Sequence, residues 1–344
     1  MVKTSVEDKL LIETIDWYYS TIQSNDYDKF DNLSEIKGIC VAISSDKLTN
    51  DELVAEKHKF AGLAAYNLGE LTDALKFLNI SIKSGFVENE VYKTIAKINF
   101  AKREFDLAIN NMSKEIKLFN GYSQAYNDRG VMQYKLGNFD DALIDFNCAI
   151  KKDKNNDVAL MNRSFIRLLE GDYETALKDV TLASNVGSNL IKKRFNRAII
   201  SHALNRNDDT MDDLYAVVEL DAKSSEDFYF RAQAKMHIFE FDSAIVDFEI
   251  GRASIDDVKS NIFLGDWNRF QKENEIAELL YVESIKAFLD KKSKFTTDYL
   301  MVNRAILGLK KLNVLYDQKI PSIGVVGIKS ISPDMVDNYL RLYI

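Results

Sequence analysis

Small side chains recur every 34 residues through the middle of this 344-residue chain, and this spacing restricts the fold more than any other feature. Seven blocks follow one another, the seventh beginning one residue early, at 55–88, 89–122, 123–156, 157–190, 191–224, 225–258 and 258–291. The eighth place holds Gly62, Ala96, Gly130, Ser164, Ala198, Ala232 and Gly265, and the twentieth holds Ala74, Ala108, Ala142, Ala176, Thr210, Ala244 and Ala277. A repeat of this length predicts an array of one supersecondary unit rather than a single globular core.

Bulky side chains recur at the twenty-fourth place of the same blocks. They are Leu78, Met112, Phe146, Val180, Leu214, Phe248 and Tyr281. Two helices that cross at small residues approach closely, and a bulky side chain then fills the space that remains. Each block therefore predicts a pair of packed helices. Gly69, Gly137 and Gly171 at the fifteenth place predict a left-handed turn that ends the first helix, although other blocks have Arg103, Asn205 and Phe239 there.

The block at 123–156 carries the fullest version of the pattern. Its marked positions are Tyr126, Gly130, Tyr134, Ala142, Phe146 and Ala149. This arrangement resembles the tetratricopeptide-repeat family, except that the proline that commonly ends a family repeat is replaced by Lys154. The resemblance implies an all-α fold, an α-solenoid (right-handed superhelix) of about seven 34-residue helix-turn-helix repeats with helical caps at both ends.

Three regions follow from where the repeats start and stop. We expect an N-terminal helical cap at 1–54, the solenoid at 55–291, and a C-terminal helix, loop and terminal helix at 292–344. The first region reads as amphipathic helix, which suits a cap over the first pair. A separate effector or dimerisation module is the alternative. The apolar terminal helix at 333–344 is expected to dock, on this chain or on another.

Four consecutive blocks place an arginine at the seventh position and an aspartate at the twenty-third. The pairs are Arg129 with Asp145, Arg163 with Asp179, Arg197 with Asp213, and Arg231 with Asp247. This spacing puts the two side chains on facing helices, where a guanidinium can bridge a carboxylate. We predict a structural ladder of ion pairs. An arginine row that grips an anionic ligand is the alternative, but one aspartate per arginine would already neutralise it.

In the family the first helices line a concave wall, so the resemblance places a partner-binding surface there. Its residues in this chain are Asn127, Val131, Met161, Asn162, Phe165, Lys192, Phe195, Asn196, Ile199, Tyr229 and Phe230. The eighth, twentieth and twenty-fourth places already form the core, so this second apolar stripe has no partner within its own helix pair. An exposed apolar groove predicts a docking surface. Coverage by the C-terminal helix of the same chain stays open.

Other classes of function have less support from the sequence. The net charge of −8 argues against a role on nucleic acid, which requires a basic footprint. No run of about 18 apolar residues indicates a membrane span. Cys40 and Cys148 are far apart and read as reduced thiols, which predicts a cytoplasmic protein. His202 and His237 are expected to meet on the concave face, but two histidines alone make a poor zinc site. We expect no cofactor, no metal and no catalysis.

The sequence therefore predicts a non-catalytic interaction scaffold or adaptor that binds a partner peptide or helix in its concave groove. Met161, Phe165, Phe195 and Ile199 would anchor that segment, the asparagines and Tyr229 would bond its backbone, and Lys192 would attract an acidic residue. Phe165→Asp with Ile199→Asp should then abolish capture and leave stability nearly unchanged. Three further hypotheses remain. The first two are a peptide-sensing regulator with an N-terminal effector module, and a self-associating structural protein, a homodimer through its C-terminal helix. The third is an enzyme with an unusual site, which only a polar pocket with several groups of perturbed pKa would indicate.

Overall fold

The computed structural model describes residues 51–85, 90–187, 189–290 and 296–312. In these ranges the protein forms fifteen α-helices, one short 3-10 helix and no β-strand, which confirms the predicted all-α repeat fold. None of the helices in this part of the chain is long and apolar enough to cross a membrane. The expected effector or cap helices before residue 51, and the terminal helix after residue 333, lie outside the described residues.

Fourteen of the helices form seven consecutive pairs, and a fifteenth follows them. The first four pairs are α1 Asp51–Asn67 with α2 Leu71–Lys83, α3 Val91–Ala101 with α4 Phe105–Leu118, α5 Ser123–Lys135 with α6 Phe139–Lys152, and α7 Asp157–Leu169 with α8 Tyr173–Ser184. The remaining helices are α9 Leu190–Ala203 with α10 Asn207–Glu219, α11 Ser225–His237 with α12 Phe241–Gly251, α13 Asp257–Phe270 with α14 Asn274–Asp290, and finally α15 Thr296–Lys311.

By its internal contacts the chain divides into two compact units, one up to Ala125 and one from Tyr126. The first unit contains the first two helix pairs of the described chain, with a core around Phe77, Leu78 and Ile98. The second contains the third to seventh pairs and α15, and one large core runs through it from Phe139 to Leu309. The candidate site lies in the second unit.

Each first helix of a pair ends in the same left-handed turn. The residues with positive φ at this place are Gly69, Arg103, Gly137, Gly171, Asn205, Phe239 and Lys272. The residue after each of them donates its backbone N–H to the carbonyl five residues earlier, over 2.8 to 3.0 Å, which closes a Schellman turn. The predicted glycine turns are therefore confirmed, and four other residues adopt the same backbone without glycine's freedom.

Polar caps fix where several helices begin. The Asn156 side chain accepts a hydrogen bond from the N–H of Ala159 over 2.9 Å at the start of α7. Ser224 and Asp227 form a reciprocal capping box at the start of α11. Such caps satisfy backbone donors that have no partner within the helix. The hydrogen-bonding side chains therefore set the boundaries of these elements.

The small and bulky places of the repeat meet as the sequence predicts. A Cβ atom added to Gly130 would lie 2.7 Å from the Phe146 ring, and one added to Gly265 would lie 2.7 Å from the Tyr281 ring. Phe146 and Tyr281 have no exposed surface. Because the glycines leave room for these rings, the two helices of a pair can pack at short distance.

Helix packing also joins neighbouring pairs within the second unit. In the second unit, α6 packs on α7 and α8 on α9, so a second helix contacts the first helix of the following pair. First helices of neighbouring pairs touch as well, as α9 and α11 do. The last helix, α15, packs on both α13 and α14 in the same manner. It therefore occupies the place of a further first helix.

Candidate functional site

The first helices of the second unit form a continuous surface, which we call the inner wall. Its aromatic side chains contact one another between neighbouring pairs: the Tyr134 and Phe165 rings lie edge to face with centroids 5.9 Å apart. The Phe195 and Phe230 ring centroids are 5.6 Å apart. Apolar residues without a partner in their own hairpin thus find one in the next hairpin. The spacing within one repeat does not predict these contacts between neighbouring hairpins.

These contacts bury part of the inner wall that was expected from the sequence to be exposed. Phe195 is only 3% exposed and Ile199 only 7%, and both belong to the core of the second unit. Asn127 is 2% exposed and accepts a hydrogen bond from the Asn162 amide over 3.0 Å. Ile199→Asp would place a charge in this core, so the expectation that it leaves stability unchanged is wrong.

The other predicted contact residues remain half-exposed. They are Val131, Met161, Asn162, Phe165, Lys192, Asn196, Tyr229 and Phe230. Lys192, however, already forms an ion pair with Glu226 on α11, with its Nζ 2.7 Å from the carboxylate and 5.6 Å from the centroid of the Phe230 ring. Its charge is therefore satisfied within the wall, and the expected attraction of an acidic partner residue loses its main support.

The inner wall curves enough for distant repeats to interact. Burial lowers the pKa of Lys135 at the end of α5, while Asp298 on α15 raises it and Lys259 on α13 lowers it. These three side chains belong to the third pair, the last helix and the seventh pair. Because charges interact strongly only over short distances, these three side chains lie near one another.

The predicted arginine–aspartate ladder is present within four successive pairs. Arg197 donates to Asp213 from Nε over 2.7 Å and from Nη2 over 2.6 Å. The bonds that join Arg129 to Asp145, Arg163 to Asp179 and Arg231 to Asp247 have the same two-pronged geometry, at 2.6 to 2.8 Å. The four carboxylates are 3 to 5% exposed. The ladder therefore links the two helices in these four pairs, and each of its guanidinium groups already donates to a carboxylate.

A cavity of about 330 Å³ lies at one end of the inner wall, between the last turns of α11, α13 and α15. Arg269, Arg304 and Lys311 line it, and Asp266 is the single carboxylate among its lining residues. Asp266 accepts one hydrogen bond from Arg304 and one from the Tyr281 hydroxyl, each 2.7 Å long. Both of its oxygens are thus occupied, and the lining carries more positive than negative charge.

Aromatic rings surround the mouth of this cavity. Phe239 is 70% exposed and Phe270 is 39% exposed, and both belong to the lining. The Phe270 ring stacks on Phe241 with centroids 5.2 Å apart. The repeat spacing does not predict the cavity, because the residues that line the cavity do not share one place of the repeat. The sequence indicates it only through Phe239, a bulky residue at a turn that favours glycine.

The two histidines that the sequence brings together do line the same cavity. Burial, together with the charges of Arg304 and His202, lowers the pKa of His237 to about 4, while Asp266 opposes them. His237 is therefore neutral at neutral pH. No group of three histidine, cysteine, aspartate or glutamate side chains within the described ranges is arranged to hold a metal ion.

Comparison with known proteins gives one match to a family model, the tetratricopeptide repeat, at residues 123–156. No curated protein matches the chain. Three solved structures share its fold at low identity. A tetratricopeptide repeat protein from Parabacteroides merdae is 15% identical, with a TM-score of 0.58, over 76% of this chain and 99% of its own. The apo form of the quorum sensor NprR from B. thuringiensis is 14% identical, with a TM-score of 0.53, over 90% and 89%.

The third structure, PilF of Pseudomonas aeruginosa, is 13% identical, with a TM-score of 0.52, over 67% of this chain and all of its own. At these identities the likeness is one of fold. The matched repeat at 123–156 is the block that carries the fullest pattern in the sequence, and the same helix pair recurs along the described chain. The chain therefore contains a tetratricopeptide repeat at residues 123–156 and has the fold of an all-α repeat solenoid.

Proposed function

We propose that this protein is a non-catalytic interaction scaffold that binds a segment of a partner protein along the inner wall. The observation that carries the proposal is the half-exposed row on α7, α9 and α11, where Met161 and Phe165 alternate with the polar Asn162 and Asn196. Apolar anchors supply contact area, while amides can bond the backbone of an extended segment.

The burial of Phe195 and Ile199 narrows this proposal to the accessible part of the wall. A partner would contact Met161, Phe165 and Asn196, and these two buried residues would support the surface from below. Half-buried side chains that are already packed against neighbours lose little conformational entropy on binding, which favours recognition by a rigid surface.

The test compares the inner wall with the outer surface of the same solenoid. Asn196→Arg places a long side chain in the groove, and Ile144→Arg places the same side chain on α6, at a residue that is 60% exposed. We expect proteins that co-purify with the wild type from native lysate to be lost with Asn196→Arg and retained with Ile144→Arg. Thermal melting should show that both variants remain folded.

The opposite pattern would contradict the proposal. If Ile144→Arg removes the partner while Asn196→Arg retains it, the outer surface binds and the inner wall does not. Retention by both variants would exclude the accessible part of the wall as well. A regulator with an effector module at 1–54, and self-association through 333–344, depend on residues that lie outside the described chain, except for 51–54.

A further inference from the structure

The cavity between α11, α13 and α15 has a charge distribution that differs from the rest of the second unit. Three cationic side chains line it against one carboxylate, and that carboxylate already accepts bonds from Arg304 and Tyr281. The Nε of Arg269 is buried and has no hydrogen-bond acceptor among the described residues. A buried donor without an acceptor costs free energy, so Arg269 is held beside the cavity at some cost to stability.

The neighbouring charges reinforce this field. Burial lowers the pKa of Lys311, and the charges of Arg269 and Arg304 lower it further, with Asp266 in opposition. Cations therefore crowd one another on this side of the cavity. An anion bound among them would relieve this repulsion, and the partly enclosed site would strengthen the attraction relative to open water.

The other half of the cavity is apolar and aromatic. Phe263 is 4% exposed and closes the inner side, while Phe239 and Phe270 stand open at the mouth. The Arg269 guanidinium lies over the Phe270 ring, with its carbon 4.4 Å from the ring centroid. The charged and apolar halves therefore meet at Phe270. A ligand that fits both must itself have an acidic end and an apolar body.

We propose that this cavity binds a small amphipathic organic anion, with its acidic group against Arg269 and its apolar body between Phe239, Phe263 and Phe270. The volume of about 330 Å³ lies at the lower end of the range for ligand sites, which suits a small molecule. The site shares no residue with the accessible part of the inner wall, so it does not depend on the proposed partner binding.

Two fluorescent probes that differ in one charge test this assignment on the full chain. Anilinonaphthalene sulfonate has an aromatic body and an acidic group, and N-phenyl-1-naphthylamine has the same body without the acid. We expect the sulfonate to saturate a single site. Arg269→Gln should weaken it about tenfold, as expected for the loss of one bond to a charged group, and leave the neutral probe nearly unchanged. Lys310→Gln, which removes a charge next to the cavity but outside its lining, should change neither.

A filling variant locates the site. Leu307 lines the cavity, and Leu307→Trp should displace both probes, with circular dichroism showing an unchanged helix content. If Arg269→Gln does not fold, Lys311→Gln provides the same comparison from the other side of the cavity. The proposal would be overturned if Arg269→Gln, or Lys311→Gln in its place, bound the sulfonate as tightly as Lys310→Gln does. Sulfonate binding that survives Leu307→Trp would also overturn it.

Discussion

The arginine–aspartate ladder and the cationic cavity use the same kinds of side chain in opposite ways. In the ladder each arginine faces one carboxylate in a two-pronged bond, and the carboxylates are almost fully buried. In the cavity, Arg269, Arg304 and Lys311 share the lining with a single carboxylate, that of Asp266. The ladder lies between the two helices of a pair, whereas the cavity lies where three first-helix positions end together.

This difference shows how a repeat protein separates structural charges from charges that are available to a ligand. The arginine–aspartate pair occurs in four consecutive repeats, so in these repeats the sequence period supplies each arginine with its carboxylate. Arg304 and Lys311 follow the last of the seven repeats, so the period does not determine which groups they contact. Cationic side chains can therefore collect around α13 and α15, where their positive electrostatic potential can attract an anionic ligand.

The largest expected effect is the removal of one ladder arginine. Arg197→Ala leaves Asp213 buried without its guanidinium, and we expect a loss of about 3–5 kcal/mol in the free energy of unfolding, measured by urea denaturation. Arg163→Ala should cost less, because the Nε of Arg167 lies 3.7 Å from the carboxylate of Asp179 and can partly replace the lost charge.

An exposed ion pair provides the control for this prediction. Arg206 and Glu174 form a pair whose side chains are 42% and 59% exposed, and Arg206→Ala should cost no more than about 1 kcal/mol. If Arg197→Ala were as mild as Arg206→Ala, the ladder would not be structural. The contrast with the cavity would then disappear.

The next effect is the pH dependence of stability that His237 produces in the cavity. The pKa of His237 is about 4 in the folded protein, below its value of about 6.5 in an unfolded chain. Between these values the unfolded state binds more protons, so the free energy of unfolding rises with pH across the window. The contribution, up to about 3 kcal/mol, is complete above pH 6.5 and is lost as pH falls towards 4.

The His237→Gln variant isolates this contribution from the carboxylates that titrate in the same range. We expect its stability to depend less on pH between 4 and 6.5 than that of the wild type, when both are followed by chemical denaturation at each pH. Arg304, His202 and Asp266 are the charged or titratable groups that act on His237, and they are present in both proteins. Parallel pH profiles would show that the cavity does not depress this pKa.

The packing behind the cavity gives a smaller effect. Gly265→Ala would bring a methyl group against the buried Tyr281 ring, and overpacking of this kind costs about 1–3 kcal/mol. Tyr281→Leu in the same chain should recover part of the loss, because it removes the ring that clashes. A thermal melt of the single and double variants measures this coupling. If the losses in stability of the two single variants simply add, the methyl group at position 265 does not clash with the Tyr281 ring.

The repeat spacing was sufficient to predict the helix pairs, the ladder and the contacts of Gly130 and Gly265, because each depends on residues within one period. It could not predict the burial of Phe195 or Ile199. The side chains that cover these two residues come from neighbouring repeats, and no single place of the pattern specifies the angle between repeats. The cavity was beyond reach for the same reason, since Arg304 lies after the last repeat and approaches Asp266 only through the stacking of α15 on α13.

The smallest expected effect tests whether the aromatic mouth of the cavity is retained for a ligand. Phe239 has a φ of 63°, a left-handed conformation that costs most residues about 1–2 kcal/mol and asparagine less. Asn205 occupies the equivalent turn with a φ of 57°. The Phe239 ring contacts Phe241 and Phe270, but it is 70% exposed, so these contacts contribute less than the strain costs. Phe239→Asn should therefore stabilise the fold by about 0.5–1 kcal/mol and weaken the sulfonate probe. A gain in stability with unchanged probe affinity would show that this ring serves neither the fold nor the proposed ligand.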